Sequence, residues 1–121
     1  MSKNFKDLKV WQDAKQLAVE IYKAMDNETF NKNYGLRDQI QRSAVSIASN
    51  IAEGCERDSD KDFIRFLNIA KGSLAELITQ LEIAHEVGYL TKSQLLYYEE
   101  KYNEVSAMIG ALIKYLRKNQ S

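Results

Sequence analysis

The 121-residue sequence contains no proline, where average usage near 5% predicts about six. Proline breaks a helix by removing an N–H and clashing with the preceding turn, so its absence leaves the chain free to form long uninterrupted helices. The single cysteine, Cys55, excludes an intramolecular disulfide framework. Seventeen basic residues stand against seventeen acidic ones, so the net charge is zero and no global field announces a nucleic-acid partner. Any such binding must be local. No apolar run approaches the ~20 residues of a membrane span, and the opening MSKNFKDLKVW lacks the apolar core of a signal peptide. These absences predict a cytoplasmic protein with no membrane partner. What is present, 45% hydrophobic and 28% charged residues, is globular composition. At this length it predicts one domain, residues 1–121, able to bury roughly two thirds of its unfolded surface in one core.

Apolar residues recur at three- and four-residue steps through most of the chain, the pattern of amphipathic helices. Val10, Ala14, Leu17, Ile21 and Met25, with Trp11, Ala18 and Tyr22 beside them, predict a first helix at about 7–26. The stretch NETFNKNYG is rich in Asn and ends in Gly35, and it predicts a linker. Leu36, Ile40, Ala44, Ile47 and Ile51 predict a second helix ending at Gly54, whose missing Cβ suits a terminus. Ser59 is placed to cap a third, with Asp60 and Asp62 complementing the positive end of its dipole. Phe63, Leu67, Ala70, Leu74, Leu77, Leu81 and Ala84 then alternate by four and three as far as Gly88. Thr91 and Gln94 have capping-box spacing, and Leu95, Tyr98, Tyr102, Val105, Ile109, Leu112 and Leu116 carry a fourth helix to the end. The short Tyr89–Leu90 connection forces the last two helices antiparallel. The expected fold is all-α, an antiparallel up-down-up-down four-helix bundle.

The third helix has more apolar surface than this fold requires. Phe66, Ile69, Ile83 and Val87 form a second stripe, interrupted by Ser73, Glu76 and Gln80, and Ile64 and Ile78 lie on the other flank. Either this helix is the most central one of a monomer, or the second stripe meets another subunit. Phe66, Ile69, Ile83 and Val87 are therefore the candidate oligomer-interface residues. In RSAVSIASNIAEG, Ser43, Ala44, Ile47, Asn50 and Ile51 lie on neighbouring rows, so small side chains allow a partner helix to approach closely. A buried hydroxyl or amide costs about 1 to 3 kcal/mol unless bonded, so these polar groups predict a hydrogen-bonded seam with Gln80, Glu76 or backbone carbonyls. The alternative is a small-molecule pocket lined by Ser46, Ser49 and Asn50.

The runs LRDQIQRSAVSIASNIAEG and FIRFLNIAKGSLAELITQLEIAHEVGYL, with the opening FKDLKVWQDAKQLAVEIY, resemble the four-helix-bundle proteins encoded in intervening sequences of bacterial 23S rRNA genes, also labelled ribosomal-type proteins. The accessory proteins of diversity-generating retroelements look similar. The resemblance spans nearly the whole chain, and its motifs mark a fold rather than a reaction. It implies a homopentamer without cofactor or small-molecule substrate, and a suspected association with rRNA or other structured nucleic acid. Ala48 stands where the family usually has proline, and Gln41 where a basic residue is common.

Candidate chemistry is sparse. Glu82 and His85 have the Glu-x-x-His spacing of carboxylate-bridged metal bundles, but His85 is the sole histidine, so no metal or catalytic set is expected. Cys55 has only Arg57 nearby to lower its pKa. Tyr97, Tyr98 and Tyr102 are either stacking surfaces for bases or packing residues. In the expected topology the N-terminus, the C-terminus and the connection between the second and third helices share one end. That places Lys3, Lys6 and Lys9 with Lys114, Arg117 and Lys118, the candidate nucleic-acid-binding residues. Glu53, Glu56, Asp58, Asp60 and Asp62 arrive at the same end, so mutual screening competes with that reading.

Overall fold

The computed structural model describes residues 4–119. A short 3-10 turn, Phe5–Asp7, leads into α1 (Lys9–Ala24), α2 (Glu28–Lys32), α3 (Tyr34–Cys55), α4 (Asp60–Glu86) and α5 (Lys92–Lys118). The four long helices form the expected antiparallel bundle. Around it α1 packs on α3, α3 on α4 and α4 on α5, and α5 closes more lightly onto α1. The predicted stripes meet at the centre: Ala14, Ile21, Ile47, Leu67, Leu74, Leu81, Leu95 and Ile109 are all buried. Ile113 on α5 is buried as well, one position beyond the heptad seam.

The helix ends follow from local chemistry. The Ser59 hydroxyl accepts from the Asp62 N–H at 3.1 Å, and Thr91 with Gln94 completes a capping box. After α4 the chain turns at Gly88, whose φ of +88° is the left-handed conformation that glycine adopts without penalty. There the Tyr89 N–H donates to the Ala84 carbonyl at 2.8 Å and the Gly88 N–H to the His85 carbonyl at 3.0 Å, the paired bonds of a Schellman stop.

The linker between the first two long helices is more structured than its composition predicts. The Asn27 side chain accepts from the Phe30 N–H at 3.0 Å and starts the single turn of α2. Phe30 is fully buried and meets the Tyr89 ring edge-on, 5.9 Å away, while the Tyr89 hydroxyl donates to Asn33 Oδ1. The segment is a plug over one end of the bundle. Gly35 lies inside α3, because that helix starts at Tyr34.

Gly54 also differs from expectation. It sits within the last turn of α3, and a Cβ there would stand 2.7 Å from Phe66 Cβ and 3.3 Å from the Phe63 carbonyl oxygen. Its role is close approach between α3 and α4. That approach buries Phe66, 6% exposed, with the Arg57 and Arg65 guanidinium groups over its ring at 4.7 and 4.5 Å. Phe66 therefore belongs to the interior of the chain and leaves the outer stripe, correcting its place among the interface candidates. Further along the same contact the Ser43 hydroxyl donates to Gln80 Oε1 at 2.9 Å and Ser46 pairs with Ser73 at 2.8 Å. Asn50 Nδ2 donates to the Ser46 carbonyl. Among the described residues no buried side-chain polar atom lacks a partner, so the seam is bonded throughout.

Gly54→Ala is expected to lower thermal stability, because about 1–3 kcal/mol of overpacking exceeds the roughly 1 kcal/mol gained in helix propensity. Gly35→Ala, with open space around its Cβ, is expected to raise stability by about 0.5–1 kcal/mol. Equal changes at both sites in thermal melts would show that the α3–α4 approach is not limiting. Gln80→Leu strands the Ser43 hydroxyl and is expected to cost about 1–3 kcal/mol in urea titration, with part recovered when Ser43→Ala is added.

Candidate nucleic-acid interface

The five basic candidates among the described residues do not form one patch. Lys3 lies outside the described residues. Lys6 is exposed beside the first turn, where its carbonyl accepts from Gln12 Nε2 at 2.8 Å. Lys9 pairs with Asp13 at 3.2 Å and lines a small groove between α1 and α5 with Glu20, Lys101 and Glu104, a mixture of both signs. Local pairing of this kind leaves little net field.

Lys114, Arg117 and Lys118 stand elsewhere. They project from the last turns of α5 at spacings of three and four, so they share one face. Lys114 and Arg117 line a groove of about 360 Å³ between α4 and α5, with Asn68 and Lys71 opposite and Ile113 and Gly110 along α5. Ile113 is buried, whereas Gly110 has open space where a Cβ would stand, which leaves the α5 backbone bare. No carboxylate among the described residues lines this groove. Among the described residues none of Lys71, Lys114, Arg117 or Lys118 has an acidic partner within ion-pair distance. The cations are correctly placed to offset the negative end of the α5 dipole, and their heads remain exposed to solvent.

The acids expected to screen this end are partly engaged. Glu53 pairs with Arg57 at 3.0 Å and Asp62 with Arg65 at 3.4 Å, each within its own stretch of chain. Asp60 lines an end cleft of about 430 Å³ with Asn4, Cys55, Phe63, Tyr115 and Leu116. Through that cleft the start of α1, the end of α3, the start of α4 and the end of α5 meet, as the topology requires. Lys71 is the residue that sequence spacing missed. It is a single lysine on α4, and only the pairing of α4 with α5 brings it opposite Lys114.

The remaining candidates have structural partners. A carbonyl can only accept, so His85 carries its proton on Nδ1 and donates to Leu90 at 2.9 Å, fastening the turn after α4. Among the described residues no group of three His, Cys, Asp or Glu side chains is placed to hold a metal. Cys55 is buried. The Ser46 hydroxyl pairs with Ser73 in the seam while Ser46 also lines a groove with Tyr22, Asp38, Arg42 and Val45, and Ser49 lines a separate groove between α1 and α3. Tyr98 is buried, Tyr102 half-buried, and the exposed Tyr97 donates to Glu20 Oε1 at 2.7 Å, tying α5 to α1. None is a free stacking platform.

A family model, the 23S rRNA-intervening sequence protein, matches residues 6–111. The chain belongs to this family. The chain is also similar to the 1.70 Å crystal structure of a protein of unknown function from the S23 ribosomal protein family of Bacteroides thetaiotaomicron. The two share 32% identity with a TM-score of 0.79, covering 87% of this chain and 98% of that one. None of the curated proteins compared with it matches. No helix among the described residues of this family member is long and apolar enough to cross a membrane.

The tyrosines give a pH signature. The bond to Glu20, followed by burial, raises the Tyr97 pKa above its ordinary 10.0, and burial followed by the Glu20 charge raises that of Tyr98. A raised folded value means that the protonated phenol is favoured in the folded chain. Its contribution to stability is fully present below pH 10 and is lost as the pH rises through the folded values. Phenolate absorbance is expected to show two late-ionising tyrosines, one of which disappears in Tyr97→Phe. Uniform titration of all tyrosines near their ordinary value would contradict the α1–α5 tie.

Proposed function

We propose that this protein is a non-enzymatic, self-associating cytoplasmic scaffold that holds structured RNA by its phosphate backbone in the groove between α4 and α5. The observation that carries this reading is the groove itself: three cations and an amide around a bare stretch of helix backbone, with no carboxylate among the described residues that line it. Phosphate contacts need cationic and amide donors but no base-reading geometry, and they suit a chain of zero net charge because the field is local. Membership of a family named for 23S rRNA intervening sequences supports RNA over other polyanions. The serine hydroxyls support a non-enzymatic role, since Ser43 is engaged by Gln80 and Ser46 by Ser73, with no imidazole beside either. Self-association is supported by Ile69, Ile83 and Val87, which stay 43%, 47% and 54% exposed on α4. The expectation of five subunits comes with the family resemblance.

Fluorescence anisotropy with a labelled RNA hairpin tests this directly. Three phosphate contacts predict a log–log salt slope of about −2 to −3 per subunit. Replacing Lys71, Lys114 and Arg117 by Gln is expected to weaken binding and flatten that slope, and replacing Lys6 and Lys9 to change it less. Absent or salt-independent binding would remove the RNA role and leave a protein-interaction bundle.

A further inference from the structure

Among the described residues, nothing covers two apolar faces of the bundle. The first is a groove of about 500 Å³ on the outside of the α1–α3 contact, walled by Trp11, Val19, Tyr22 and Val45, with Ala48 and Ala52 as its floor. Lys15 and Lys23 line its rim. The second is the ridge of Ile69, Ile83 and Val87 on α4, which the burial of Phe66 leaves as a narrow line beside α3. Glu76 and Glu86 lie along that ridge, and Gly72 leaves a notch in it, with open space where a Cβ would stand.

The charges beside the two faces are opposite in sign, lysines at the groove and glutamates at the ridge. The alanine floor admits a helix closely, and the notch at Gly72 can receive an aromatic wall residue. At ~1.5 Å per residue the groove from Trp11 to Tyr22 runs about 16 Å and the ridge from Ile69 to Ile83 about 21 Å. Lys15 and Lys23 are about 12 Å apart along α1, and Glu76 and Glu86 about 15 Å along α4. None of these four charges has an ion-pair partner among the described residues. Asp38 and Arg42 on α3 line a further groove that continues from Tyr22 and Val45.

We infer that the occupant of the α1–α3 groove is the α4 ridge of a second copy of this chain. The inference rests on the self-association proposed above and specifies its geometry. The contact is heterologous: each copy offers its ridge to one neighbour and its groove to another, so association does not stop at two. The lysines on the groove rim meet the glutamates of the incoming ridge and set its direction.

The experiment uses the full chain with Ala48→Glu in the groove or Ile83→Lys on the ridge, with circular dichroism confirming the helical fold of each. Light scattering at micromolar concentration is expected to give an assembly larger than a dimer for the unmodified chain and a monomer for each variant. An equimolar mixture of the two variants retains one intact groove and one intact ridge, and is expected to form a dimer and nothing larger. Lys15→Glu with Lys23→Glu is expected to weaken assembly about tenfold, two rim pairs at roughly 0.7 kcal/mol each, and Glu76→Lys with Glu86→Lys to restore it. If the unmodified chain is a monomer, self-association fails and this pairing with it. If it assembles but both variants assemble equally well, or the mixture forms no dimer, the ridge-and-groove pairing alone is overturned.

Discussion

The close approach of α3 to α4 is the constraint on which the rest of the structure depends. It is made possible by a missing Cβ at Gly54 at one end and by serine-sized side chains along the remainder, and it is held by the Ser43–Gln80 and Ser46–Ser73 bonds. Apolar side chains of several shapes can fill a helix interface at small cost, so packing alone specifies register weakly. A hydroxyl that must meet one particular amide oxygen does not slide. The seam therefore converts a generic bundle contact into one with a defined register. That register in turn decides which residues of α4 are covered, Phe66 and Ser73, and which are left outside, Ile69, Ile83 and Val87.

The same constraint explains what could be read from the sequence and what could not. The four long helices were legible because their signals repeat: a stripe such as Phe63, Leu67, Ala70, Leu74, Leu77, Leu81 and Ala84 restates one answer over many turns. Their caps at Ser59, Thr91 and Gly88 were legible because each is a local bond between residues close in sequence. The turn of α2 was not, since one buried phenylalanine among asparagines has no period and its partner, Tyr89, comes from the far side of the chain. Phe66 differs from its stripe for a related reason. On a helical projection it flanks the outer stripe, and only the cross-chain fact that Gly54 lacks a side chain draws it inside. Lys71 was silent because a cation becomes part of a groove only when another helix supplies the opposite wall.

Zero net charge concealed a segregation of charge. Carboxylates at the end shared by the termini are in part matched within their own helices, as Glu53 is with Arg57 and Asp62 with Arg65, and such exposed pairs contribute little energy but cancel field locally. The cations near the C-terminal end of α5 complement a helix dipole instead of a side chain, and the dipole acts within the last turn only. Beyond that turn their positive potential extends into solvent. Summing charges over a sequence cannot distinguish these two situations, although they differ in what they offer a polyanion.

The positions of the grooves bear on how assembly and RNA binding would coexist. Because the helices follow the order α1, α3, α4, α5 around the bundle, the apolar groove between α1 and α3 and the basic groove between α4 and α5 lie on opposite sides. The ridge sits on the α3 side of α4, away from the basic groove. In the proposed assembly both association faces are thus used without covering Lys71, Lys114 or Arg117, and every added copy presents another set of cations. Three contacts on one subunit give only weak binding near physiological salt. A second and third set held at fixed spacing make later contacts intramolecular, and avidity then rises only for RNAs whose backbone spans adjacent subunits. Selectivity for structured RNA would in that case come from the rigid spacing of the scaffold, with no base-reading side chain required.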